Sequence, residues 1–105
     1  MAARDARVVG AVAYGHTPMT VGTYDLYWII CEPALQRRGV GGALLRAVEL
    51  DLRRRGGRLV RVETSGTQAY QATRAFYQRF GYRETARLAD FYRPGDDLAI
   101  FTKRL

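Results

Sequence analysis

Lysine occurs once, at Lys103, cysteine once, at Cys31, and histidine once, at His16. A single cysteine excludes an internal disulfide, and with one histidine beside it there is no Cys/His cluster of the kind that holds zinc. No apolar run reaches the ~18 residues of a membrane span, and the N-terminus lacks the charged, apolar, small-residue order of a signal peptide. The expected location is therefore the cytoplasm, and no metal is expected. Three prolines, no internal repeat and no low-complexity stretch leave no interdomain linker, so residues 1–105 are expected to form one domain with a small core.

Hydrophobic residues make up 48% and charged residues 26% of the chain, which are globular values and argue against disorder. The net charge of +7 comes almost wholly from arginine, spread from Arg4 to Arg104. Basic charge by itself licenses only non-specific attraction to nucleic acid, and neither zinc spacing nor an aromatic RNA-binding motif accompanies it.

Residues 7–14 form a β-branched run that ends at Gly15, so a strand is expected, with Gly10 either weakening it or marking a close approach. Residues 15–22 read as a loop, and His16 as a solvated member of it. Thr23–Cys31 is the next strand. Its alternation puts Asp25, Tyr27, Ile29 and Cys31 on one face and Tyr24, Leu26, Trp28 and Ile30 on the other. Both faces are largely apolar, which predicts a central strand covered on both sides. Asp25 on such a face is either a turn partner at the strand's open end or a base with a raised pKa in a dry cleft.

From 40 or 41 to about 55, Gly41, Leu44, Leu45, Val48 and Leu52 recur at helical spacing, while Arg46, Glu49, Arg53 and Arg54 fall elsewhere. Gly56-Gly57 stops that helix. A third strand is expected over 59–63, a second helix over 68–80 ended by Gly81, and two further strands over 83–89 and 98–103 joined by a turn at Arg93-Pro94-Gly95-Asp96. Alternation of strands and helices implies right-handed parallel crossovers and an α/β sheet.

Between the second strand and the first helix stands Gln36-Arg37-Arg38-Gly39-Val40-Gly41-Gly42-Ala43. Glycines at a strand-to-helix junction suit a phosphate, because the first helical turn has unpaired N–H groups and the positive end of the helix dipole. A nucleotide-binding P-loop is excluded because Ala43-Leu44, not Lys-Ser or Lys-Thr, follows the glycines. The dinucleotide fingerprint fails because Leu44 stands where its third glycine belongs. The remaining pattern, Q-x-x-G-x-G, resembles the acetyl-CoA signature of the GNAT N-acetyltransferase superfamily. A second match follows at Phe76-Tyr77 and Gly81-Tyr82, similar to the aromatic, tyrosine and Gly-Tyr pattern that closes a later helix of the family.

The resemblance implies an acyl-CoA N-acyltransferase fold: a mixed, mostly antiparallel sheet with a parallel central strand pair, flanked by two helices. It implies acetyl-CoA as cosubstrate and an amine as acceptor, by direct attack in a ternary complex. On the family pattern, backbone at Ile29, Ile30 and Cys31 meets the pantetheine arm on a strand that splays from its neighbour, and the Cys31 amide faces the thioester oxygen. The amides of Gln36, Arg37, Arg38, Gly39, Val40, Gly41, Gly42 and Ala43 hold the pyrophosphate. Tyr77 is implied as the acid for the departing thiolate, with packing in a helix face as its other role. The base that must deprotonate the amine is Asp25, which occupies a position where some members carry glutamate, or Glu63, or Tyr27. Tyr24, Tyr27, Trp28 and Tyr70 are candidates to line the acceptor site. Tyr70 replaces an asparagine that in many members contacts the cofactor. Members also begin with a strand and two helices, whereas this chain begins at what resembles the second strand. It is therefore expected to be a fragment, to have a mis-assigned start, or to be completed by another subunit, and a homodimer is expected. The competing reading is a non-catalytic acyl-CoA-binding module or truncated pseudoenzyme.

Overall fold

The computed structural model describes residues 2–4, 7–31 and 39–105. Among them, β1 (Ala2–Arg4), β2 (Arg7–His16), β3 (Thr23–Cys31), β4 (Leu59–Ser65), β5 (Arg83–Arg93) and β6 (Asp96–Arg104) form one sheet in the order β1-β2-β3-β4-β6-β5. Helix α1 (Val40–Arg54) joins β3 to β4. Helix α2 (Gln71–Arg79), led in by a 3₁₀ turn at Gln68–Tyr70, joins β4 to β5. Only β3 and β4 are parallel neighbours; the other pairs are antiparallel. This is the mixed, mostly antiparallel sheet with a parallel central pair that the family pattern implies.

Both helix crossovers step the same way across the sheet, so a single hand of connection places α1 and α2 on the same face. The core lies under them. Leu45, Val48 and Leu52 of α1, Tyr77 of α2 and Tyr82 beyond it pack on Leu26, Val60, Val62, Ala99 and Phe101. Each fully buried leucine among these contributes about 1.5–3 kcal/mol. The expectation that β3 is covered on both sides is therefore corrected: it is central in the sheet, but Tyr27, Trp28 and Ile30 are exposed. The apolar composition of its outer face does not come from burial among the described residues.

The alternation assigned to β3 also breaks. Ala13 of β2 faces Trp28 and the next residue, Tyr14, faces Leu26, so Tyr27 is the extra residue of a β-bulge. Beyond the bulge the parity reverses. Ile29 packs toward the core with Tyr24 and Leu26, and Trp28 and Ile30 turn to the other face.

Two glycines are explained by close approach. A Cβ at Gly10 would lie 3.0 Å from Leu44 Cδ1 and 3.1 Å from the Ile30 carbonyl oxygen, because α1 crosses β2 there. At Gly42 a Cβ would lie 2.6 Å from the Phe80 ring, so this position lets α1 and the end of α2 meet. The β5–β6 hairpin turns at Pro94-Gly95, with Gly95 at φ 82°, where glycine carries no Cβ penalty.

Candidate active site

Pairing between β3 and β4 ends at Leu26–Val62, although β3 runs on to Cys31 and β4 to Ser65. The two parallel strands thus part at their carboxyl ends, where ligands bind in open α/β sheets. A cleft of about 520 Å³ fills the gap. Its β3 wall is Tyr27, Trp28 and Ile29, and its β4 wall runs from Val62 to Ser65. Tyr70, Thr73 and Tyr77 close it from the helix side, and Tyr92, Arg93 and Asp96 from the hairpin.

Tyr77 is 5% exposed, lines the cleft, and its hydroxyl makes no hydrogen bond among the described residues. Burial pushes its pKa up to about 12. Its ring is held edge-on against Phe76 at 5.2 Å and against Tyr82 at 5.6 Å between centroids. The helix supplies the position and the aromatic neighbours fix the ring, leaving a protonated phenol facing the cleft.

Tyr82 behaves differently. Its hydroxyl donates to Glu49 Oε2 at 2.8 Å, and burial with this bond raises its pKa strongly. Lys103 Nζ donates to both Glu49 oxygens, at 3.0 and 3.2 Å, and to the Phe80 carbonyl at 2.8 Å. Glu49 is 5% exposed, which corrects its placement off the buried face of α1. A carboxylate is tolerated there because two donors meet it.

The three candidate bases lie near one guanidinium, since Arg61 feels Asp25, Glu63 and Tyr27, but only Asp25 bonds to it. Asp25 Oδ1 accepts from Arg61 Nε at 2.7 Å on the face away from the helices, and Asp25 is not part of the cleft wall. Its partner is an arginine on the neighbouring strand, at a registered position, instead of a turn or a dry cleft. Glu63 lines the cleft and forms no ion pair or hydrogen bond among the described residues. Tyr27 lines it too, with its hydroxyl over Gly15, where a Cβ would stand 3.2 Å away.

Of the aromatic candidates, Tyr27, Trp28 and Tyr70 reach the cleft, while Tyr24 packs against the core and edge-on to His16 at 5.4 Å. Tyr92, Arg93 and Asp96 are additional wall residues that the sequence reading did not assign. They arrive through an irregularity between Leu88 and Arg93, where Asp90 adopts φ 56° and its carboxylate accepts from the Gly95 amide at 2.8 Å. The only signal was the aromatic pair Phe91-Tyr92 just before the Pro-Gly turn.

At the start of α1, Gly39 is the N-cap at φ 79°, with no side-chain cap and no acidic residue in the first turn. Among the described residues no side chain caps or compensates the positive end of the helix, which fits an anionic phosphate group. Gly41 and Gly42 are buried and Ala43 is exposed. Gln36, Arg37 and Arg38 lie outside the described residues, as does the Cys31 side chain; Ile29, Ile30 and the Cys31 backbone continue β3 along the open side of the cleft.

Parted parallel strands, a cleft at their carboxyl ends and an uncapped helix N-terminus define an α/β protein with a binding site at a strand-to-helix junction. The sequence profile of the acetyltransferase (GNAT) domain matches residues 1–84, and the chain belongs to that family. It is similar to a GNAT-family protein from Desulfovibrio desulfuricans, with 48% identity and a TM-score of 0.96 over 97% of this chain and 64% of that one. A GNAT acetyltransferase from Elizabethkingia anophelis, solved with acetyl-CoA bound, shares the fold at 19% identity and a TM-score of 0.83, over 98% of this chain and 72% of that one. So does the ribosomal-protein-S18-alanine N-acetyltransferase from Escherichia coli, at 21% identity and a TM-score of 0.80, over 97% of this chain and 64% of that one. The chain therefore spans about two thirds of the length of these proteins. No curated protein sequence matches it.

Proposed function

We propose that this chain transfers the acetyl group of acetyl-CoA to an amine by direct attack in a ternary complex. The observation that carries the reading is the presence, in one cleft, of a carboxylate, Glu63, and a buried phenol, Tyr77, neither of which makes a hydrogen bond among the described residues. Family membership and the acetyl-CoA held by a structural relative support the donor. When bound, acetyl-CoA supplies a thioester, an acyl group with a thiolate leaving group. The free amides of the first turn of α1, together with the segment that leads into it from Gln36, would hold its pyrophosphate, except that the Ala43 amide is already donated to the Gly39 carbonyl at 2.9 Å. The backbone of Ile29, Ile30 and Cys31 would hold its pantetheine arm.

The residues divide the proton work. An alkylammonium with a pKa near ~10 is not a nucleophile until it loses a proton. Glu63, directly or through water, accepts that proton. The amine nitrogen then bonds to the acyl carbon as the carbon–sulfur bond breaks, and the second proton it must shed to become an amide leaves to solvent. Tyr77 gives its proton to the departing sulfur, so the products are an amide and CoA with its thiol protonated. The proton on Glu63 returns through solvent to the Tyr77 phenolate. Asp25, held by Arg61, is a weaker choice of base, and Tyr27 is the alternative phenol at the cleft. The protein acts in the cytoplasm, as a homodimer.

Tyr77→Phe tests the acid role. Turnover is expected to fall about 100-fold, the scale of general acid catalysis, with acetyl-CoA affinity nearly unchanged. Equal turnover would remove Tyr77 from the reaction, and acetyl-CoA binding with no turnover on any amine would favour a binding module.

A further inference from the structure

We infer that the acceptor is a small monoamine with an apolar body, its ammonium held between the Glu63 carboxylate and the rings of Tyr70 and Tyr92, with Tyr92 as the specificity-determining residue. The inference rests on the transferase reading for the consequence of binding, but not for the binding itself.

The cleft is divided by chemistry. Trp28, Ile29 and Val62 make an apolar wall, while Glu63, Tyr70 and Tyr92 stand elsewhere on its lining. Tyr70 is 48% and Tyr92 47% exposed, so both rings are open to whatever enters the cleft. Glu63 and Asp96 both lie close enough to Tyr92 to oppose its ionisation, as does Tyr70, which places these four groups together. Asp96 is already occupied, accepting from Ser65 Oγ at 2.6 Å and facing Arg93 at 3.8 Å. Glu63 makes no hydrogen bond or ion pair among the described residues, although Arg61, bonded to Asp25, is close enough to feel its charge. Tyr77, nine-tenths buried and without a hydrogen bond among the described residues, lines the same cleft.

An unpaired carboxylate beside aromatic faces binds an organic cation, through charge and through the ring quadrupoles. Arg93, whose side chain is 78% exposed, also lines the cleft. With a net charge of +7 on the chain, it opposes entry of a polycation. A volume of about 520 Å³ suits a small molecule. The irregularity in β5 is what brings Tyr92 to this corner, so an ordinary β-hairpin would not make it.

Trp28 is the single tryptophan and lines the cleft, so its fluorescence reports occupancy directly. The probes are phenethylamine, its neutral counterpart phenethyl alcohol, and spermidine, each titrated with and without saturating CoA. Phenethylamine is expected to bind about tenfold more tightly than the alcohol, and spermidine more weakly than phenethylamine. Glu63→Gln, an isosteric change at an exposed site, should bring amine and alcohol to within about threefold. Tyr92→Leu should weaken the amine and spare the alcohol. Equal binding of amine and alcohol, an unchanged ratio in Glu63→Gln, or preference for spermidine would each overturn the inference. Failure of CoA to bind while the amine still titrates would remove the transferase reading and leave this one standing; CoA binding with no amine response in either condition would do the reverse.

Discussion

Burial raises Tyr77 to about 12, and in the proposed acid role its proton would stay in place throughout the working range. An ordinary tyrosine would be half ionised at pH ~10, whereas burial keeps this one protonated there. The pH–rate profile should therefore rise as the base and the amine lose their protons, with no descending limb below about pH 11. A fall in rate centred near 10, with the fold intact, would show that Tyr77 is not held as described. Lys103 and Glu49 give a second test at this scale. Removing the lysine leaves a carboxylate with 7% side-chain exposure facing only the Tyr82 hydroxyl. Lys103→Met should cost about 3–5 kcal/mol in denaturant unfolding, and adding Glu49→Leu should restore most of it. A single variant within 1 kcal/mol of the parent would mean the pair contributes little.

The first turn of α1 offers a substitution in which stability and binding move in opposite directions. Ala43 is exposed and the turn contains no acid. Ala43→Asp should stabilise the helix by about 0.3–1 kcal/mol through the dipole, while repelling a pyrophosphate and weakening acetyl-CoA at least about tenfold. Loss of both stability and binding would indicate a damaged fold, and unchanged affinity would remove this helix end from the binding site. The helices were legible in the sequence because their apolar spacing and glycine stops are local signals: α1 begins at Val40 and α2 ends at Arg79, close to the expected bounds. Thr23–Cys31 was legible from its β-branched and aromatic run. The bulge at Tyr27 was not, since it arises from pairing with β2 and leaves no mark in a two-residue period. Asp25 and Glu49 share a cause for being misplaced. Each carboxylate is positioned by a cation distant in the chain, Arg61 or Lys103, which the residue's own element does not reveal. Strand β1 escaped notice because Ala2-Ala3-Arg4 carries no strand preference and gains its pairing only from β2.

For the whole molecule, two buried phenols set the alkaline limit. Unfolded tyrosine ionises near ~10, and folded Tyr77 and Tyr82 are both raised above that, so the folded state retains protons that the unfolded state loses. Their stabilising share is complete below pH ~10 and is lost as pH climbs toward the folded value, at about 1.4 kcal/mol per pH unit for each phenol. Melting temperature should hold level to about pH 10 and then fall, more gently in Tyr82→Phe once its lower starting stability is subtracted. A flat profile to pH 11.5 would contradict the burial of these side chains.

Both helices lie on one face of the sheet, and the cleft opens at the carboxyl ends of its parallel pair. Binding of acetyl-CoA at that opening is read by calorimetric titration. Saturable binding at one acetyl-CoA per chain is expected, abolished or sharply weakened in Ala43→Asp. A folded sample that takes up no heat of binding across the same range would contradict it.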